Sequence, residues 1–352
     1  MTVKKYYNIV IHDDIKLSLD DVLLVPKYSD IKSRLSTDIS TVLVGNIKLG
    51  VPVVTAAMDT ISESNMAIEI GRLGGASFLH RFASDKKIIR MVKDINEVGQ
   101  LAIPSLGVRK DIVKWVGVLL ENGASALSID IAHGHSSMVL KTVDLIKSVY
   151  PECNLIAGNV ATSSGVRDLI SAGADAVKVF VGSGGVCTTR IATGFGVPTF
   201  SCLVDCVQEA NKHSIPVIAD GGLKTPGDYT KCLAAGASSC MTGSMFAGVK
   251  ETPGREIKIK DKYFKEYRGM SSREAQEEFK GGLKDGVAAE GAALLVEMEG
   301  TAKSILDYIT GGIRSGLTYC GAHNLKELVE NAEFIRITSP SIIEGRPHKL
   351  TG

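Results

Sequence analysis

Aromatic residues are scarce in this chain: they make up 5% of 352 residues, with one tryptophan. Its core must therefore be assembled from Val, Ile, Leu and Ala. An excess of one charge sign is lacking too. A formal net charge of +1 offers no electrostatic footprint for nucleic acid or an anionic membrane surface. No apolar run reaches the ~18 residues that span a bilayer. Met1-Thr-Val-Lys-Lys-Tyr-Tyr7 is not followed by the apolar core of a signal peptide. The seven cysteines are odd in number and include no C-x-x-C pair, which argues against a disulfide framework and a zinc site. Cys202 and Cys206, four apart, are spaced to pack on one helix face. The expected setting is the reducing cytoplasm.

Glycine, by contrast, is abundant at 37 residues, as many tight strand–helix turns require. Short apolar runs of strand type alternate with helical patterns. Strands are predicted at 52–57, 75–79, 101–106, 126–130, 154–158, 176–180, 216–220 and 239–243. Helices are predicted between them at 63–73, 85–98, 109–122, 136–149, 163–172, 201–213 and 226–235, with a closing helix at 301–311. Eight such units, several with near-continuous apolar strands, predict an α/β fold, the (β/α)8 TIM barrel. The length suits one barrel of roughly 250 residues with insertions. Gly123, Gly173 and Gly236 each sit just before a strand, where glycine closes the preceding helix in a left-handed cap. A doubly wound open sheet is the competing fold, and the absence of an early G-x-G-x-x-G fingerprint counts against it. Residues 1–50 read as an irregular entry segment, with a capped turn at Ser18 leading into an extended stretch. Residues 249–300 break the rhythm. A hairpin tip at 258–262 and a helix from Ser271 that ends at Gly281-Gly282 predict a flap after the last strand. Residues 340–352 read as a polar tail, and 1–352 as one barrel domain.

Chemistry in such barrels gathers at the carboxyl ends of the strands. Asp130 ends the fourth strand and is followed by Ile-Ala132-His133-Gly134-His135, while Asn159 follows the fifth. After the sixth comes Gly182-Ser183-Gly184-Gly185-Val-Cys187-Thr-Thr189-Arg190. Glycines let backbone approach a ligand closely, and a thiol beside a cation gains thiolate character and nucleophilicity. The alternative is a buried structural thiol. Asp220-Gly221-Gly222 follows the seventh strand and Gly243-Ser244 the eighth, which is where this fold recurrently binds phosphate. Taken singly each reads as a turn, and the conjunction after both strands points to a phosphate site. Asp220 would suit a ribose diol. His133 and His135 lack cysteine or carboxylate partners at ligand spacing, so they line a cofactor cleft or a surface turn rather than hold zinc. Glu290 is a general acid–base candidate or a solvated loop carboxylate.

These stretches, together with Leu19-Asp-Asp-Val-Leu-Leu-Val-Pro26, Ala56-Ala-Met-Asp59, Ala157-Gly-Asn-Val160, Tyr267-Arg-Gly-Met270 and Gly311-Gly-Ile-Arg-Ser315, resemble the IMP dehydrogenase/GMP reductase family from about residue 17 to residue 348. The resemblance implies that Cys187 attacks purine C2 and forms a covalent thioimidate, with Thr189 and Glu290 moving protons. It implies that Asp220 binds ribose, and that Ser183, Gly185, Gly221, Gly222, Gly243, Ser244 and Tyr267 surround the 5′-phosphate. Gly269, Met270 and Ser271 would contact the purine. Asp130, Ala132, His133, Gly134, Asn159 and Arg81 would line the nicotinamide side.

Two features bear on the branch. Dehydrogenases of the family usually carry a regulatory pair of CBS-type repeats between strands two and three, whereas Ser84 to Leu101 leaves room for one helix. Their flap places an Arg-Tyr pair to activate the water that hydrolyses the adduct, and no such pair lies between Ser271 and Glu290. The resemblance is thus to the reductase branch: NADPH-dependent deamination of GMP to IMP and ammonia. The alternatives are an IMP dehydrogenase without the regulatory domain (IMP to XMP with NAD), a relative acting on a deoxy or modified purine nucleotide, and a catalytically silent nucleotide binder. Departures exist. The family's Gly-Pro-Gly-Ser reads Gly182-Ser183-Gly184-Gly185 here, and its His-Lys reads His80-Arg81, which are not equivalent cations at a cofactor contact. The stretches Asp130–His135 and Glu344–His348 are closer to bacterial dehydrogenases. That likeness implies a potassium site on the backbone carbonyls of Gly182, Gly184 and Cys187, and a homotetramer with the tail crossing to a neighbour.

Overall fold

The eight apolar runs form a closed barrel of parallel strands: Val53–Thr55, Ala76–Leu79, Ile103–Leu106, Leu127–Asp130, Leu155–Val160, Ala176–Val179, Val217–Asp220 and Ser239–Thr242. Each pairs with its neighbours in sequence, and the eighth returns to the first through Cys240↔Val53, Met241↔Val54 and Thr242↔Thr55. This computed structural model describes residues 3–6 and 9–345. Between strands two and three lie only helix Asp85–Glu97 and its loops, so no regulatory domain interrupts the barrel there. Gly123, Gly173 and Gly236 take φ values of 95°, 107° and 97°, the left-handed caps expected before strands four, six and eight.

Alternate side chains of each strand point to opposite faces. Val54, Phe78, Ile103, Ile156, Ile218 and Met241 fill the barrel interior. Val53, Leu79, Leu106, Leu127, Val177 and Val217 join the larger cluster under the helices. The entry segment is more ordered than the sequence predicts. Its hairpin, Thr41–Val44 with Ile47–Leu49, buries Leu43, Val44 and Leu49 among the inward barrel residues and plugs the end where the strands begin. Thr41 Oγ1 donates to the Ser238 carbonyl at 2.6 Å, just ahead of strand eight. A strand of three or four residues alternates too briefly to register as a period. Val22–Leu24 pairs with Phe334–Arg336, and Val3–Tyr6 with Ile9–His12.

The helix predicted at 301–311 runs on from Ala302 to Cys320. Gly311-Gly312 reads as a stop but serves packing. A methyl group at Gly312 would overlap the Pro226 ring, and one at Gly316 would overlap Thr230, so these glycines let the helix lie close on helix Pro226–Ala234. Gly311 faces open space. Gly312→Ala should therefore lose about 1–2 kcal/mol of stability, because overpacking costs more than the roughly 1 kcal/mol of helix propensity gained. Gly311→Ala should gain up to about 1 kcal/mol. Thermal melts of both variants check this, and equal shifts would contradict the close approach.

The helix predicted at 201–213 spans Thr199–Asn211, and an unpredicted short helix, Thr189–Thr193, precedes it. The flap is a three-stranded antiparallel sheet, Ile257–Ile259, Lys262–Arg268 and Ala293–Glu297, with helix Arg273–Lys280. The helix Ser339–Glu344 opens the tail, and residues 346–352 lie outside the described residues. No helix among the described residues is long and apolar enough to cross a membrane.

Candidate active site

A cleft at the carboxyl ends of the strands gathers every predicted site residue except His133 and Gly134. Strand six leads into it. Phe180 and Gly182 have positive φ, 91° and 79°, so the chain turns sharply off the barrel rim. Phe180 is a bulky residue in a region that costs L side chains energy. The Cys187 amide donates to the Gly184 carbonyl at 3.0 Å and closes the turn that carries the thiol. One of the three carbonyls expected around potassium is thereby engaged within its own loop.

The thiol donates to Thr189 Oγ1 at 3.2 Å, and the Thr189 hydroxyl donates to Glu290 Oε2 at 2.7 Å. Glu290 is not a solvated loop carboxylate. Its amide donates to the Ser271 carbonyl at 3.0 Å, and its carbonyl accepts the Thr188 amide at 3.1 Å. Gly291 bridges both Cys187 and Ser272, and the Ala292 amide donates to the Val186 carbonyl at 2.9 Å. The flap's return strand is thus laced to the cysteine loop. Arg190, the expected cation beside the thiol, turns away and donates to the Val197 carbonyl at 2.8 Å. The thiol's partner is a hydroxyl.

On the next wall Asp220 ends strand seven. Its Oδ2 accepts from Asn159 Nδ2 at 2.9 Å and from Lys178 Nζ at 3.4 Å. Lys178, fully buried in strand six, also pairs with Asp130. Burial holds the Asp220 carboxyl above its usual range, against the pull of Lys178 and Asn159. Burial opposes the charge on Lys178, but Asp130 and Asp220 outweigh it and hold the ammonium above its usual range. Beyond Asp220, Gly221 and Gly222 take φ of 93° and 76°, a conformation that glycine adopts at little cost. Ser183 packs beside them, so that a Cβ at Gly222 would stand 3.0 Å from the Ser183 carbonyl oxygen. A Cβ at Gly185 would sit 3.3 Å from that of Ser244 and 3.8 Å from the Tyr267 hydroxyl. The cysteine loop therefore meets Gly243, Ser244 and Tyr267 here. Burial pushes the Tyr267 phenol up, so it stays protonated as a donor. Glycine backbone flanked by two hydroxyls suits an anion. Gly269, Met270 and Ser271 of the flap form the roof.

The opposite wall holds Asp130, Ala132, Arg81 and Phe82. Arg81 Nε donates to the Asp130 carbonyl at 3.3 Å, and its guanidinium lies 4.4 Å from the Phe82 ring centre. His133 is exposed and outside the cleft. Gly134 is buried, its amide donating to the Asn159 carbonyl at 2.7 Å, because the chain after Asp130 folds back over strand five. His135 pairs with Asp168 at 2.8 Å. These histidines belong to a surface turn, and the described residues hold no cluster of three or more His, Cys, Asp or Glu placed for a metal. Asn159 lines the cleft, but its amide is committed to Asp220 and to the Phe180 carbonyl at 3.1 Å.

Six residues around the cleft carry no role in the sequence reading: Asp59, Phe82, Lys178, Arg268, Glu278 and Phe279. Asp59 and Glu278 (2.6 Å) both accept from Arg268, and Phe279 lies 5.7 Å from Phe82, which anchors the flap helix beside the cleft. Lys178 was legible in principle, since a lysine between Val177 and Val179 in a buried strand is anomalous.

The family model for the IMP dehydrogenase / GMP reductase domain matches residues 16–348. The chain belongs to this family. Members of the IMP dehydrogenase/GMP reductase family are oxidoreductases that bind purine nucleotides and use a nicotinamide cofactor. The chain is similar to the inosine-5′-monophosphate dehydrogenase of Nitrosopumilus maritimus, 36% identical over 467 aligned positions that cover 95% of this chain and 98% of that protein. It is similar to the Bacillus subtilis enzyme of the same name, 33% identical over 470 positions covering 95% and 96%. Both alignments are longer than this chain, so each relative carries a stretch with no counterpart here. Among solved structures it resembles a GMP reductase from Trypanosoma brucei in complex with guanosine 5′-monophosphate, with a TM-score of 0.90 at 26% identity, covering 95% of this chain and 98% of that one.

Proposed function

We propose that this chain is a GMP reductase, which converts GMP to IMP and ammonia and oxidises NADPH. The reading rests on the relay Cys187–Thr189–Glu290, set under a flap without an Arg-Tyr pair. Such a site can move a proton to and from a departing amine, and its flap lacks the Arg-Tyr pair that would activate water. The nucleotide lies with its ribose on Asp220, its 5′-phosphate among Gly221, Gly222, Gly243, Ser244 and Tyr267, and its purine under Met270 and Ser271.

The Cys187 thiol proton passes through Thr189 to Glu290, Sγ bonds to purine C2, the bond from C2 to the exocyclic nitrogen breaks, and the proton returns through Thr189 to the departing ammonia. The wall of Arg81, Phe82, Asp130 and Ala132 fits a nicotinamide nucleoside, with a carboxylate for hydroxyls and an open apolar face. NADPH, when bound, supplies the hydride that takes the place of sulfur at C2. The thiolate leaves, the purine carbon is reduced, and Cys187 is restored.

The names of the sequence relatives favour a second reading, an IMP dehydrogenase that makes XMP with NAD. Two incubations separate them: GMP with NADPH, and IMP with NAD, each followed at the reduced-nicotinamide absorbance. Oxidation in the first alone supports the reductase. Reduction in the second alone overturns it and requires another base for water.

A further inference from the structure

We infer that Lys178 is a positioning residue whose buried ammonium, held between Asp130 and Asp220, keeps Asp220 a pure acceptor, so that the cleft demands hydroxyl donors from the ribose of its nucleotide. This rests on the proposed placement of ribose on Asp220.

Lys178 occupies an inward position of strand six and has no exposed side-chain surface. Its ammonium bonds Asp130 at the end of strand four and lies 3.4 Å from Asp220 at the end of strand seven. Both carboxylates still reach the cleft, with side chains 26% and 18% exposed. A lone lysine so buried would shed its proton, and two bare carboxylates sharing one opening would trap one. Bridged, the ammonium keeps its proton, and it works against the burial that raises the Asp220 carboxyl. Few other charged or titratable groups face the trio. Arg81, from the loop after strand two, lies on the Asp130 carbonyl, and Tyr267, from the flap sheet, faces Asp220. Asn159, from strand five, adds a neutral donor to Asp220 Oδ2. That oxygen is therefore taken, while Oδ1 accepts from no protein donor among the described residues. An ionised carboxylate can only accept. It rewards a hydroxyl and is left unpaired by a deoxy sugar.

The sign follows from the carboxyl. Preference for ribose is present while Asp220 is ionised and is lost as pH falls through its pKa. Burial pushes that pKa up and Lys178 pulls it down. Removing Lys178 moves the loss to higher pH.

Calorimetric titration of GMP and 2′-deoxy-GMP into the full chain and its Lys178→Met and Lys178→Gln variants, from about pH 6 to 9, tests this. The unaltered protein should favour the ribonucleotide by about tenfold or more. In both variants that ratio should shrink about tenfold at pH 7 and recover toward pH 9. Lys178→Gln keeps the length and a polar end, so it carries the test if the Met variant does not fold. A Gln variant that behaves like the unaltered protein overturns the role of the charge. Equal weakening of both nucleotides at every pH marks a merely structural lysine and overturns the proposal too. An unaltered protein with no ribose preference at any pH sinks the ribose placement itself, whereas a preference that survives both variants sinks only Lys178's role. If neither variant folds, proton exchange on the unaltered protein still tests the ionised Asp220 that the proposal requires. Titrations in two buffers of different ionisation enthalpy at pH 7 should give equal proton exchange for the two nucleotides, and release of about one extra proton with GMP would mean Asp220 was not ionised.

Discussion

Cys187→Ala protein turns over at least about four orders of magnitude more slowly than the unaltered enzyme and still binds nucleotide. The thiol is the group in the cleft that can form a carbon–sulfur bond, and covalent catalysis splits a difficult displacement at C2 into two steps. Removing Sγ deletes both steps together. The binding surfaces do not depend on it. Asp220 is held by Asn159 and Lys178, and the cysteine loop is held by backbone hydrogen bonds from Cys187 to Gly184 and from Ala292 to Val186. Alanine keeps all of these. Steady-state assay paired with equilibrium nucleotide binding checks the split. Retention of more than about one per cent of turnover would mean direct hydride displacement without an adduct. Loss of binding would mean that the loop collapses without its thiol. The companion labelling experiment is unusually clean, because Cys187 is half-buried while Cys153, Cys202, Cys206, Cys232, Cys240 and Cys320 are buried. A purine electrophilic at C2 should mark this cysteine alone in the native protein.

The barrel was legible because its signals are local. Most strands are short apolar runs closed within two residues by a glycine or a charged residue, and each helix carries its own period, so eight units can be counted without knowing how they pack. What failed to show were features that exist only between distant segments. Gly311-Gly312 looks like a helix end until Pro226 is known to lie against it. The plug hairpin at 41–49 looks irregular because its apolar residues answer to the barrel interior, not to a repeat of their own. The same division runs through the site. Cys187, Asp220, Gly221 and Gly222 announce themselves at strand ends. Glu290 lies 101 residues beyond Thr189 and reads as a loop carboxylate, until the flap's return strand brings it within 2.7 Å. His133 and Gly134 sit in a family-like stretch after strand four, yet the backbone turns them out of the cleft. Motif position gives a residue's neighbourhood, whereas the direction of the chain decides what it faces.

That geometry makes Glu290→Gln the sharper of the two tests, because it removes a proton without removing a contact. The glutamine carbonyl oxygen can still accept from the Thr189 hydroxyl, and the backbone stays pinned between Ser271 and Thr188. Nucleotide KM should therefore change little, while kcat for ammonia release falls by about 10²–10⁴, the usual weight of a positioned acid or base. A loss under about tenfold would show that the carboxyl is not the proton carrier. Thr189→Val supplies the internal control. If the proton runs from Glu290 through Thr189 to the amine, either break stops the same transfer, and the double variant should be no slower than the worse single one. If the two losses multiply instead, the residues act on separate steps, and the hydrogen-bonded line from Cys187 through Thr189 to Glu290 is a scaffold for the thiol rather than a path for its proton.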